Sequence, residues 1–194
     1  MTAAPSRGVI GMMLIIGSLL FLVAAFMPVS RVYPAQGVEQ KMAIIDADRT
    51  GWQVSQVLFA LSAAVAWAGM GLLAYRFRAF GGSILPLAAV AAAGVGLALW
   101  LAYVYLRTIR PEDFVSGLVP GWPFVAYSFL TLLAIFVIGS GMSQPKFPRW
   151  LPIFNMGAAA LMGLAFLIFK DLPPLLYYVV TLVDGIALLV LHPF

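Results

Sequence analysis

The chain has 194 residues, of which 63% are hydrophobic and 9% charged, with a net charge of +4 and no cysteine. Soluble domains carry roughly 25% charged residues, so lipid is the expected solvent, and disulfides and thiolate metal sites are excluded. The positive balance does not point to nucleic acid, because the basic residues are dispersed at the ends of apolar runs instead of gathered on one patch.

Six stretches reach the ~20 apolar residues that cross ~30 Å of hydrocarbon as a helix: 8–28, 52–75, 84–106, 121–143, 150–169 and 172–191. None alternates apolar with polar residues as a membrane barrel strand does. The predicted class is therefore an all-α integral membrane protein, a bundle of six transmembrane helices with short loops, forming a single transmembrane domain over 1–194.

The first stretch follows Arg7 and resembles a secretory signal, but its core is too long for one and it is read as a retained helix. The outer loop 29–51 places Val38, Met42 and Ile45 at helical spacing among Glu39, Lys41, Asp46, Asp48 and Arg49, a pattern for a short helix lying on the membrane interface. An irregular loop is the alternative. The hairpin 52–75 and 84–106 turns through Arg76 and Arg78 without an acid, and the hairpin 121–143 and 150–169 turns through Lys146 and Arg149 in the same way. Between them, 107–120 opens with Arg107, Arg110, Glu112 and Asp113 around Pro111 and continues into glycine and proline turn chemistry.

Basic residues are nearly balanced on the two sides of this threading, but the loop acids all fall on one side, the side opposite the amino terminus. The expectation is that both termini are cytoplasmic, in a bacterial plasma membrane. Trp52, Trp122, Tyr103 and Tyr105 then belong at the outer interface and Trp150 at the inner one.

Shifting by 70 residues lays the hairpin 52–80 onto 122–150: Trp52 on Trp122, Phe59 on Phe129, Ala64 on Ala134, Gly69 on Gly139, Gly71 on Gly141 and Phe77 on Phe147. Such a tandem repeat of a helical hairpin, running in one direction, implies an axis along the membrane normal. Chance matching among residues common in membranes is the alternative. The glycine pairs, with Gly94, Ala98 and Ala102 and with Ala159 and Gly163, supply small surfaces for close helix packing.

Every charged side chain but one lies in the gaps between these stretches; Asp184 lies within the last. Placing a carboxylate in the hydrocarbon costs roughly 2.5–3.5 kcal/mol even on the lenient insertion scale, so it is expected to face the bundle interior. With a 1.5 Å rise per residue, Asp184 lies about 10 Å from the inner end of its helix and Asn155 about 7 Å from the inner end of the preceding one. Adjacent antiparallel helices bring the two to one depth, and a hydrogen bond from Asn155 to Asp184 is predicted. The pair serves as a packing element, as a proton or cation site, or as the contact for a basic residue of another chain.

A second candidate site is the outer rim. Arg107, Arg110, Glu112, Asp113, Tyr103, Trp122, Tyr177 and Lys170 offer contacts for an amphipathic ligand or a partner's loop, the alternative being an aromatic belt among solvated charges. Tyr177 and Tyr178 are about 100° apart on a helix, so one of them is expected to point inward. The only histidine is His192, and no HExxH, GxSxG, Walker or GxGxxG pattern is present. No residue is assigned a catalytic or metal-binding role and no cofactor is called for, lipid being the one candidate ligand.

These residues carry three readings. The first is a non-catalytic accessory or structural subunit, packing in the bilayer against other transmembrane subunits or a second copy. The second is a small ion-coupled transporter using Asp184 and Asn155. The third is a membrane enzyme or binding protein for a lipid or quinone at the outer rim.

Overall fold

The Ser6 hydroxyl accepts a hydrogen bond from the Val9 amide and starts the first helix, α1, Arg7–Phe26. A computed structural model describes residues 5–144, 147–169 and 174–191 of the chain. After α1 come two short helices, α2 (Val29–Val32) and α3 (Gly37–Ala47), and two long ones, α4 (Arg49–Ala79) and α5 (Leu85–Ile109). A five-residue helix, α6 (Pro111–Val115), precedes α7 (Trp122–Gly141), α8 (Trp150–Phe169) and α9 (Leu175–Val190). Among the described residues there is no strand. In hydrocarbon each backbone N–H and C=O has to find its partner within its own segment, which a helix provides.

Five helices, α1, α4, α5, α7 and α8, are by length and composition able to cross a membrane, and the protein is a membrane-embedded all-α bundle. The sixth expected span, 172–191, is described as the 16-residue apolar helix α9. The residues flanking it, 170–173 and 192–194, lie outside the described residues.

Helix α4 is longer than its apolar core at 31 residues. Two local features extend it. Asp48 caps its start by accepting the Gly51 amide at 2.9 Å, and Arg76 and Arg78 occupy its last turn, where cations offset the partial negative charge of the exposed carbonyls. The Arg76 guanidinium also donates to the Pro5 carbonyl and lies over the Phe80 ring, tying the end of α4 to the start of α1.

The long helices form a ring in the order α9, α1, α4, α5, α7, α8, with only thin contact where α8 meets α9. Small residues set the closest crossings. A Cβ at Gly11 would sit 2.9 Å from the Gly185 carbonyl oxygen, and one at Gly17 would sit 2.8 Å from the Ala66 nitrogen, so α1 is wedged between α9 and α4 with backbones in contact. On the far side a Cβ at Gly139 would be 2.7 Å from the Asn155 Cβ, so α7 and α8 meet as closely.

One end of the ring carries the connections α2, α3 and α6; α3 packs on both α2 and α6 and meets the start of α4, while α6 packs on the end of α5. The 29–51 loop thus contains a helix over 37–47, with Ile45 buried, Met42 partly buried and Val38 43% exposed. This end is called the loop-rich face below, and the opposite end, with the short turns, the turn face.

The two hairpins of the candidate repeat are α4–α5 and α7–α8. Their matched positions share an environment toward the turn face, where Phe77 and Phe147 are both buried and meet edge to face at 5.8 Å. Toward the loop-rich face they part: Trp52 is 1% exposed but Trp122 60%, and Phe59 4% but Phe129 37%. The cap over α4 has no counterpart over α7 among the described residues.

Candidate functional site

Positions 177, 181, 184 and 188 of α9 are spaced four, three and four apart, which puts them on one helical face. Tyr177, Thr181, Asp184 and Leu188 are all buried. Asp184 is 4% exposed and accepts a hydrogen bond from the Asn155 Nδ2 at 2.7 Å. The same amide group donates to the Leu151 carbonyl at 3.1 Å, one turn earlier in α8, which holds its rotamer. Asn155 Oδ1 is buried with no partner among the described residues. The absence of a side chain at Gly139 lets α8 come near enough for Asn155 to reach inward.

Three residues before Asp184, Thr181 and Ser18 share a hydrogen bond at 2.9 Å, joining α9 to α1. Further along, the Tyr127 and Tyr178 hydroxyls meet at 2.7 Å, joining α7 to α9. Between these groups lies a cavity of about 10 Å³, lined in part by Tyr127, Thr131, Tyr177, Tyr178 and Thr181. That volume holds about one water. The bundle therefore contains a polar column from Asp184 toward the loop-rich face, along the inward side of α9.

The sequence offered Asp184 and Asn155 but not Ser18, Thr131 or Thr181. Thr181 had a signal, since it sits one turn from Asp184 on the same face. Ser18 had none, because a serine that bonds its own helix, as Ser18 does to the Leu14 carbonyl at 2.7 Å, is tolerated against lipid too.

The rim residues do not form one site. Arg110 and Asp113 stand 3.9 Å apart at the surface with side chains 66% and 41% exposed. With Glu112, Met42, Asp46 and Arg49 they line an open depression of about 350 Å³ on the loop-rich face. Trp122 is separately exposed. Lys170 lies outside the described residues.

Tyr177 is not a rim residue: it is 1% exposed and lines the internal cavity. Tyr178 is buried as well, at 2% exposed, so both neighbouring tyrosines point inward where one was expected to. α1 flanks α9 on one side, where Phe21 stacks on Tyr178 at 4.0 Å, and Tyr127 of α7 meets it from another. The buried arc is wide enough for two positions 100° apart.

Arg107 also departs from the rim expectation. It is 1% exposed and surrounded by four rings: Phe114 at 4.4 Å, Trp52 and Tyr103 at 5.5 Å, and Tyr33 at 5.8 Å. Trp52, expected at the lipid interface, lies under the cap instead, and its indole Nε1 donates to the Arg107 carbonyl at 3.3 Å. Tyr33, Trp52 and Phe114 went unnoticed as a group because they come from α4 and two separate connections, with no shared spacing in the chain.

Among the described residues no three His, Asp or Glu side chains come together as metal ligands would. No protein-family model, no curated protein and no solved structure matches the chain.

Proposed function

We propose that this protein is a non-catalytic, multi-pass accessory subunit of a larger membrane complex. In this reading it crosses a bacterial plasma membrane six times, with both termini on the cytoplasmic side, and contributes apolar helix surface to its partners. Helix α8 is the observation that carries it. It is held along one side by α7 and only thinly by α9, and it leaves Ile153, Leu161, Leu164 and Leu167 between 56% and 69% exposed. At Gly157 and Gly163 an added side-chain carbon would meet nothing within 4 Å, so another helix can approach this surface closely. Small residues favour such approach in lipid, where hydrophobicity alone does not drive helices together.

Copurification from membranes in a mild detergent tests this. The expected result is a fixed set of other subunits in constant stoichiometry, lost when Gly157 and Gly163 are both replaced by leucine while the isolated chain keeps its melting temperature. A chain that purifies alone from native membranes at its native expression level would sink the reading.

The polar column supports a second reading, a small ion-coupled transporter in which Asp184 and Asn155 hold the moving charge. Its test is pH-dependent uptake into proteoliposomes. Asp184→Asn should abolish it with the helical content unchanged, and unaltered uptake in that variant would leave the aspartate a packing residue.

A further inference from the structure

Arg107 presents buried donors that meet no acceptor among the described residues. Its Nε and Nη2 are buried with no hydrogen-bond partner among the described residues. The four rings around it attract the cation through their faces, yet a ring does not replace an oxygen acceptor. Buried donors are nearly always paired, and a guanidinium carries its N–H groups in a planar fork that fits two oxygens of one anionic group. Among the described residues at this face, Asp113 is turned toward Arg110, Asp48 accepts the Gly51 amide, and Asp46 and Glu112 line the open depression.

The depth of the cage indicates which anion. Arg107 lies two residues before the end of α5 and Trp52 three residues after the start of α4. At the same end Trp122, Tyr105 and Leu118 are 60%, 60% and 72% exposed, an amphipathic belt of the kind that sits at headgroup level. Tyr33 is the most exposed of the four rings, at 57%, so the cage borders the surface on its side.

We propose that the cage of Tyr33, Trp52, Tyr103 and Phe114 around Arg107 is a binding site for the phosphate group of a membrane phospholipid. The phosphate oxygens accept from Nε and Nη2, and the acyl chains run down the lipid-facing side of the bundle. The site does not depend on the subunit reading. A free phosphate ion offers the same oxygens, and the two sources separate in one experiment.

The full chain, purified in dodecyl maltoside, is melted during titration with dioleoylphosphatidylglycerol, with dioleoylglycerol, which has the same chains and no phosphate, and with inorganic phosphate. Phosphatidylglycerol should raise the melting temperature saturably and dioleoylglycerol should not. An equal, saturable rise with inorganic phosphate supports the same site with the free ion as its occupant. Arg107→Met should weaken the apparent affinity on the order of tenfold, the worth of a charge-assisted hydrogen bond. Arg110→Gln, at an exposed position, should keep it. Should the methionine variant not fold, Arg107→Lys keeps the charge but loses the fork and should titrate more weakly than wild type. The proposal is overturned if phosphatidylglycerol gives no shift, if dioleoylglycerol shifts the protein equally, if either Arg107 variant titrates as wild type, or if Arg110→Gln loses the response.

Discussion

Asn155 and Asp184 are joined at 2.7 Å across the one interface of the ring where the helix backbones have little other contact. The bond closes the bundle at its thinnest seam. Its worth comes from what each group would cost alone in an apolar interior, more than from the bond itself.

The first prediction concerns this pair. Asn155→Ala leaves the carboxyl without its donor and should cost about 1–3 kcal/mol. Interhelical hydrogen bonds in membranes average ~0.6 kcal/mol and reach ~1.7, so a double-mutant cycle with Asp184→Ala should return a coupling in that range. Reversible unfolding in mixed micelles measures it, and a coupling of zero would show that the two side chains act independently.

Gly185 and Gly11 make the second. A side chain at Gly185 would meet the Gly11 carbonyl oxygen at 2.8 Å and the Ile15 side chain at 2.8 Å, both on α1. Gly185→Val should lower stability by about 1–3 kcal/mol, the usual cost of overpacking. Gly163→Ala, facing open space, should leave the melting temperature of the isolated chain within a degree or so of wild type.

The tyrosine pair gives a third. Tyr127→Phe removes one hydroxyl of the 2.7 Å contact and leaves the buried Tyr178 hydroxyl with Ser62 alone, for a cost of about 1 kcal/mol. The double variant Tyr127→Phe, Tyr178→Phe removes both and should be less destabilised than the two single losses summed. Strict additivity in thermal unfolding would refute the coupling.

A fourth prediction addresses the start of α4. Asp48→Ala removes the oxygen that receives the Gly51 amide and should cost about 0.5–2 kcal/mol. Because Trp52 begins the next turn, faster amide exchange over 49–53 should accompany the loss, with the α7 amides unchanged. Uniform acceleration across both helices would mean that the cap acts globally.

The helical frame was legible because charge is expelled from hydrocarbon: a stretch such as 121–143 has few other fates. The pairing of Asn155 with Asp184 was legible for a related reason, since an acid and an amide at matched depth have few alternative partners. Arg107 was not. An arginine in the last turn of a membrane helix normally extends its stem toward water, and only the convergence of Tyr33, Trp52, Tyr103 and Phe114 from distant positions turns it inward. Serine and threonine were illegible in another way: Ser18 satisfies itself on its own helix, so nothing in its neighbours says that Thr181 is opposite.

The bond between Ser18 and Thr181 spans 163 positions of sequence, and so links the two helices of the ring that lie farthest apart along the chain. During synthesis α1 leaves the ribosome with the face that bears Gly11 and Ser18 lacking its permanent neighbour. That face stays against lipid or the insertion machinery until α9 emerges. The ring therefore closes only when α9 joins α1, and a chain cut between α8 and α9 would leave Ser18 of α1 and Asn155 of α8 without their partners Thr181 and Asp184.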